Sequence, residues 1–164
     1  MGGGGVGGGA KYSPPPEPPP KLRHGPPQCF AQLKTRAVQD PRAQLIGATH
    51  SFWYVQDSLG NQAIISGGPQ SGFLDVFTNW NNPQAGVDNG SASTTWNSGV
   101  SANSCGGTDA LVTAAQDWPQ DTIPYSWSGP NSNSVANYLG TVGGFNPPAP
   151  PVSVGWNTPI PSIP

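Results

Sequence analysis

Two kinds of side chain in this sequence have the chemistry to act on a substrate, an imidazole and a set of hydroxyl or thiol groups. His50 opens an apolar run, His50-Ser51-Phe52-Trp53-Tyr54-Val55. Ser134 closes the run Gly129-Pro130-Asn131-Ser132-Asn133-Ser134, directly before a helical pattern. A hydroxyl in the first turn of a helix lies in the field of unpaired backbone N–H groups, which favours an anionic nucleophile or a developing oxyanion. An imidazole within reach takes its proton. His50 as base and Ser134 as nucleophile therefore make one candidate pair, with Asn131 and Asn133 as positioning or oxyanion residues. Cys105, in Ser104-Cys105-Gly106-Gly107 before the helix cap Thr108/Asp109, is the rival nucleophile. Ordinary capping explains Asn and Ser before a helix equally well. Cys105 also has two structural readings, a bridge to Cys29 or a buried thiol. Two cysteines and two histidines without shared spacing do not make a zinc site, and nothing in the pattern calls for a cofactor.

The elements that must position these residues are short. Cys29 to Val38 alternates, with Ala31 and Leu33 on one face and Gln32, Lys34 and Arg36 on the other, as in a half-buried strand. Asp40-Pro41 breaks it. His50–Gln56 and Gln62–Ser66, joined by Asp57–Asn61, read as a hairpin ended by Gly67-Gly68-Pro69. Phe73–Trp80 is a strand or a helix turn. Asn81–Gly107 is irregular, with a strand at Ser93–Trp96. Ala110–Trp118 is a helix stopped by Pro119. Ile123–Trp127 is a short extended piece. Val135, Tyr138, Leu139 and Val142 share one face of a second helix, ended by Gly143-Gly144. The order predicts an α+β domain, a small antiparallel sheet with two or three helices.

Around this body lie two biased segments. Residues 1–27 contain eight Gly and eight Pro and read as a disordered linker from something upstream. The domain is expected at 28–146 and a Pro-rich extended tail at 147–164, with Trp156 pinning it. All six basic residues precede position 43, and the chain from Ala43 onward carries six Asp and no Lys or Arg. A phosphate backbone needs several cations, so nucleic acid is excluded as a partner of the body. No apolar run is long enough to span a bilayer. Asn, Ser, Gln, Gly and Thr in place of Lys and Glu point to an extracellular or cell-envelope protein. It is expected to be monomeric or part of a larger chain.

The His50–Val55 strand, the Ile64-Ile65-Ser66-Gly67-Gly68-Pro69 strand and the Asn133-Ser134-Val135-Ala136-Asn137 helix start together resemble the circularly permuted papain-like group. That group includes the lecithin retinol acyltransferase-like proteins and related amidases. The Gly129–Ser134 run also resembles an uncharacterised bacterial family carrying Gly-Pro-Asn-Ser-Asn-Ser/Thr. The resemblance implies a permuted papain-like fold and hydrolysis or acyl transfer at amide or ester bonds. It places Ser134 in the slot usually held by Cys, and Ser66 in the slot that orients His50. Two other functions share this pattern: a non-catalytic binding module for a peptide, acyl or glycan ligand, and a toxin or effector tip.

Overall fold

A computed structural model of the chain describes residues 29–80, 88 and 105–161. The expected linker and the expected strand at 93–96 lie outside these residues. Four antiparallel strands, β1 (Phe30–Ala37), β2 (Thr49–Gln56), β3 (Gln62–Gln70) and β4 (Phe73–Trp80), form one sheet in the order β1-β2-β3-β4. Helices α2 (Cys105–Gln116) and α3 (Ser132–Val142) accompany it, and a single turn, α1 (Pro41–Gln44), links β1 to β2. This is the expected α+β class. Among the described residues no helix is long and apolar enough to cross a membrane.

The period-two alternation of the strands divides their side chains between two faces. Leu33, Trp53, Val55, Ile65, Leu74 and Val76 form one core with Leu111, Val112, Ala115, Val135, Ala136 and Leu139 of α2 and α3. The Trp53 indole N–H donates to the Ala136 carbonyl at 2.9 Å, so the central strand is tied to α3 by a polar bond as well as by packing. The opposite face carries Arg36, His50, Phe52, Ser66 and Phe77 in cross-strand register: Arg36 opposes His50, Phe52 opposes Ser66, and Ser66 opposes Phe77.

Several boundaries move from their sequence-based positions. β3 does not stop at Gly67-Gly68-Pro69 but runs to Gln70, pairing with β4 through Pro69↔Leu74. Ser71 (φ 51°) and Gly72 (φ 89°) then make a two-residue turn with both residues left-handed, the geometry that suits the twist of a tight hairpin. This settles Phe73–Trp80 as a strand. Asp40-Pro41 ends β1 as expected and also starts α1: the Asp40 carboxylate accepts from the Arg42 N–H at 2.8 Å, and proline is well placed in a first helical turn.

α2 starts at Cys105 instead of Ala110, passing through Gly106-Gly107. Its first residue is bonded to Cys29, just before β1, in a disulfide spanning 76 positions of chain. Closing so long a loop removes conformational freedom from the unfolded chain worth about 4 kcal/mol. The stretch expected as an extended tail instead turns over Pro151–Trp156 and packs on the body, with Trp156 4% exposed in the core.

Candidate functional site

The start of β2 is where the site is built. Thr49, His50 and Ser51 pair with β1, but the ladder to β3 begins only at Phe52↔Ser66. Beyond that point β3 continues with β4 alone and leaves one edge of β2 without a strand partner. The side chain of Asn133 takes that place. Its Oδ1 accepts from the Ser51 N–H at 2.8 Å, and its Nδ2 donates to the Thr49 carbonyl at 2.9 Å and the Val154 carbonyl at 2.9 Å. The amide thus stands in for a missing residue of sheet. Gly67 lets β3 come close to α3 on the other side: a Cβ there would lie 2.6 Å from the Val135 side chain.

A cleft of about 850 Å³ opens at this divergence, within the size range of small-molecule sites. His50, Ser66, Asp88, Arg36, Ser132 and Trp127 are all in its walls. His50 is 8% exposed, and its Nε2 lies 2.9 Å from Asp88 Oδ2. The other carboxylate oxygen of Asp88 accepts from Arg36 Nε. Burial pushes the Asp88 carboxyl up. The hydrogen bonds and charges of His50 and Arg36 outweigh it and hold the group down at about 2. Asp88 is therefore a carboxylate at neutral pH. With Asp88 on Nε2, Nδ1 is the ring nitrogen left to take a proton from a reacting group.

Ser134 occupies a different position from the one its place in the sequence implied. It is 1% exposed, and its hydroxyl works inside the α3 cap. Oγ accepts from the Asn131 N–H at 3.1 Å and donates to the Gly155 carbonyl at 2.7 Å. Asn131 completes a capping box: its Oδ1 accepts from the N–H groups of Asn133 and Ser134 at 2.9 and 3.3 Å. Its Nδ2 donates to the Trp127 and Val154 carbonyls at 2.7 and 3.0 Å. The backbone amides expected to serve an oxyanion are thus spent on Asn131, which leaves the N–H of Ser132 as the first-turn amide not taken by that side chain. Asn131 and Asn133 tie the start of α3 to the start of β2 and to the Val154 carbonyl.

Cys105 is in the disulfide with Cys29 and is no free nucleophile. Ser66 lines the cleft half-buried, but Asp88, not Ser66, holds the His50 ring. Two residues were missed. Asp88 lies in an Asn/Gly/Ser-rich stretch with no periodicity, so its sole signal is that it is a carboxylate in an otherwise uncharged region. Ser132 lies in the Gly129–Ser134 run, two positions before Ser134. It is the first residue of α3, half-buried, and faces the same cleft as His50. The bonds of Asn133 to Thr49 and Ser51 straddle His50 in the chain, which brings its neighbour Ser132 to that wall.

No family model, curated protein or solved structure matches this chain, so the reading of the cleft rests on its own residues.

Proposed function

We propose that the domain is a hydrolase or acyltransferase acting on ester or amide bonds, with His50 as general base, Asp88 as the group that orients it, and Ser132 as nucleophile. The observation that carries this reading is the 2.9 Å His50–Asp88 pair in a cleft whose wall includes the first hydroxyl of α3. A carboxylate on one imidazole nitrogen sets the tautomer and leaves the other nitrogen basic.

In the first step Ser132 Oγ attacks the substrate carbonyl carbon while its proton passes to His50 Nδ1. The bond to the leaving alcohol or amine then breaks, and the leaving group takes that proton from His50. Water, or an acceptor alcohol or amine, gives its proton to Nδ1 and attacks the acyl-serine. Ser132 recovers the proton as it departs. Asp88 stabilises the imidazolium formed in between, and the Ser132 N–H at the start of α3 favours the oxyanion.

Labelling with a fluorophosphonate followed by peptide mapping tests the assignment. Modification at Ser132, lost in His50→Ala, is expected. Modification at Ser134, or none at any concentration that labels a control serine hydrolase, rejects it.

A binding module is the second reading, favoured by Trp127, which lines the cleft at 65% exposure. Such a module predicts that a ligand of the cleft binds Ser132→Ala as tightly as the parent chain and leaves unchanged.

A further inference from the structure

The charges around the cleft are already matched, while its apolar side chains are not. Arg36 and His50 both engage Asp88. At the outer rim Arg42 pairs with Asp40 at 3.0 Å. Burial, followed by the charge of Asp40, pushes the Tyr125 phenol up, so it stays neutral at ordinary pH. In contrast, Ile46, Phe77 and Trp127 line the same cleft while 53%, 43% and 65% exposed. They come from three separate segments: the α1–β2 connection, β4, and the loop before α3. Phe77 stands opposite Ser66 on the face that carries His50. Large apolar groups left half in water within a concave site gain free energy when a ligand covers them, and aromatic rings gain further from stacking.

We infer that the cleft selects an uncharged substrate whose acyl part carries an aromatic or similarly bulky apolar group, seated against Trp127, Phe77 and Ile46. The inference rests on the proposed hydrolase reading for its kinetic form, and on the cleft walls alone for its binding form. A charged acyl group would meet apolar walls with no described counter-ion to spare, because each charged lining side chain already has a partner. Trp127 and Phe77 are thereby specificity-determining residues. Trp127 contributes its backbone carbonyl to Asn131 independently of its ring, so truncating the ring leaves that bond in place.

The test compares p-nitrophenyl phenylacetate, acetate and hemisuccinate as substrates of the full chain. The phenylacetyl ester is expected to exceed the acetyl ester in kcat/KM by about tenfold or more, the scale on which apolar pockets discriminate. The hemisuccinate is expected to be slowest. Trp127→Ala is expected to collapse the phenylacetyl-to-acetyl ratio, and Phe77→Ala to reduce it. A general loss of fold would lower both rates and leave the ratio alone. A ratio near one in the parent chain, a preference for hemisuccinate, or a ratio unmoved in a variant that keeps the parent's acetyl-ester rate overturns the inference while leaving the hydrolase reading intact.

Binding of phenylacetamide, acetamide and succinamate, followed by NMR on the parent chain and on Ser132→Ala, separates the two failures. If no ester is turned over but phenylacetamide binds in preference to both others and Trp127→Ala weakens it, the hydrolase reading fails and the selectivity stands. If none binds preferentially and none is turned over, both fall.

Discussion

The two walls of the cleft are built on opposite principles. The α3 wall, Asn131–Ser134, is a cap in which nearly every polar atom meets backbone, within the turn itself, at the start of β2, at Trp127 or in the Val154-Gly155 segment. The β2 wall is an ion pair, Arg36 with Asp88, and the imidazole of His50 on the same carboxylate, drawn from separate parts of the chain. Saturated polar groups hold a fold together and have nothing left for a ligand. A histidine held at one nitrogen has its other nitrogen to use. The run that looked most like a chemical site is mostly scaffold, and the group poised for chemistry sits across from it.

Substitutions sharpen this contrast. The largest stability effect is expected at Asn133. Asn133→Ala leaves the Ser51 N–H and the Thr49 carbonyl without their partner, and the Val154 carbonyl with Asn131 alone. At roughly 1 kcal/mol or more for each of the two orphaned groups, the loss comes to about 2 kcal/mol or more in urea unfolding. A value under about 1 kcal/mol would mean water replaces the amide and the wall is not saturated after all.

Ser132→Ala is expected to abolish esterase turnover, by about a hundredfold or more, while changing stability by less than about 0.5 kcal/mol. Comparable activity in that variant would move chemistry away from α3 altogether.

Asp88 links the second wall to pH. Its folded carboxyl is held at about 2, against about 3.9 for an unfolded aspartate, so its stabilisation is complete above the unfolded value. It fades as the pH falls from about 4 towards 2. Linkage across that interval gives up to about 2 kcal/mol. Unfolding free energies of the parent chain and Asp88→Asn, measured from pH 6 to pH 2, should converge at the acid end. A constant gap would show that the ion pairs are not its source.

The smallest effect is expected at Ser134. Ser134→Ala removes one capping bond and one bond to Gly155, about 1 kcal/mol of stability, with kcat/KM preserved. Loss of turnover without loss of stability would restore Ser134 to the reaction and reverse the contrast between the two walls.

Much of the scaffold was legible because it depends on local chemistry. Alternation placed Ala31 and Leu33 in the core and Arg36 on the opposite face, and Asn131 followed by Ser134 marked a helix start. Glycine and proline misled where their neighbours decided the outcome. Gly67-Gly68-Pro69 looked like the end of a strand, but β4 pairs with it. The cap expected at Thr108 or Asp109 lies inside α2, which starts at Cys105, where the disulfide anchors it. At the site, His50 was found because a histidine opening an apolar strand stands out. Asp88 was not, because a carboxylate acquires its role only when Arg36 and His50 meet it.

The α+β class, the faces of the strands, the cap that starts α3 and the scarcity of charge from Ala43 onward can all be read from the order of residues. Each follows from periodicity, capping chemistry or composition, which act over a few residues. Four outcomes wait on the folded chain: Cys105 closes a disulfide, Asn133 fills a gap in the sheet, Ser134 faces inward while Ser132 faces the cleft, and Asp88 holds His50. Those outcomes depend on which backbone groups lack partners after the strands pair and diverge, and that is settled by contacts between residues far apart in the chain.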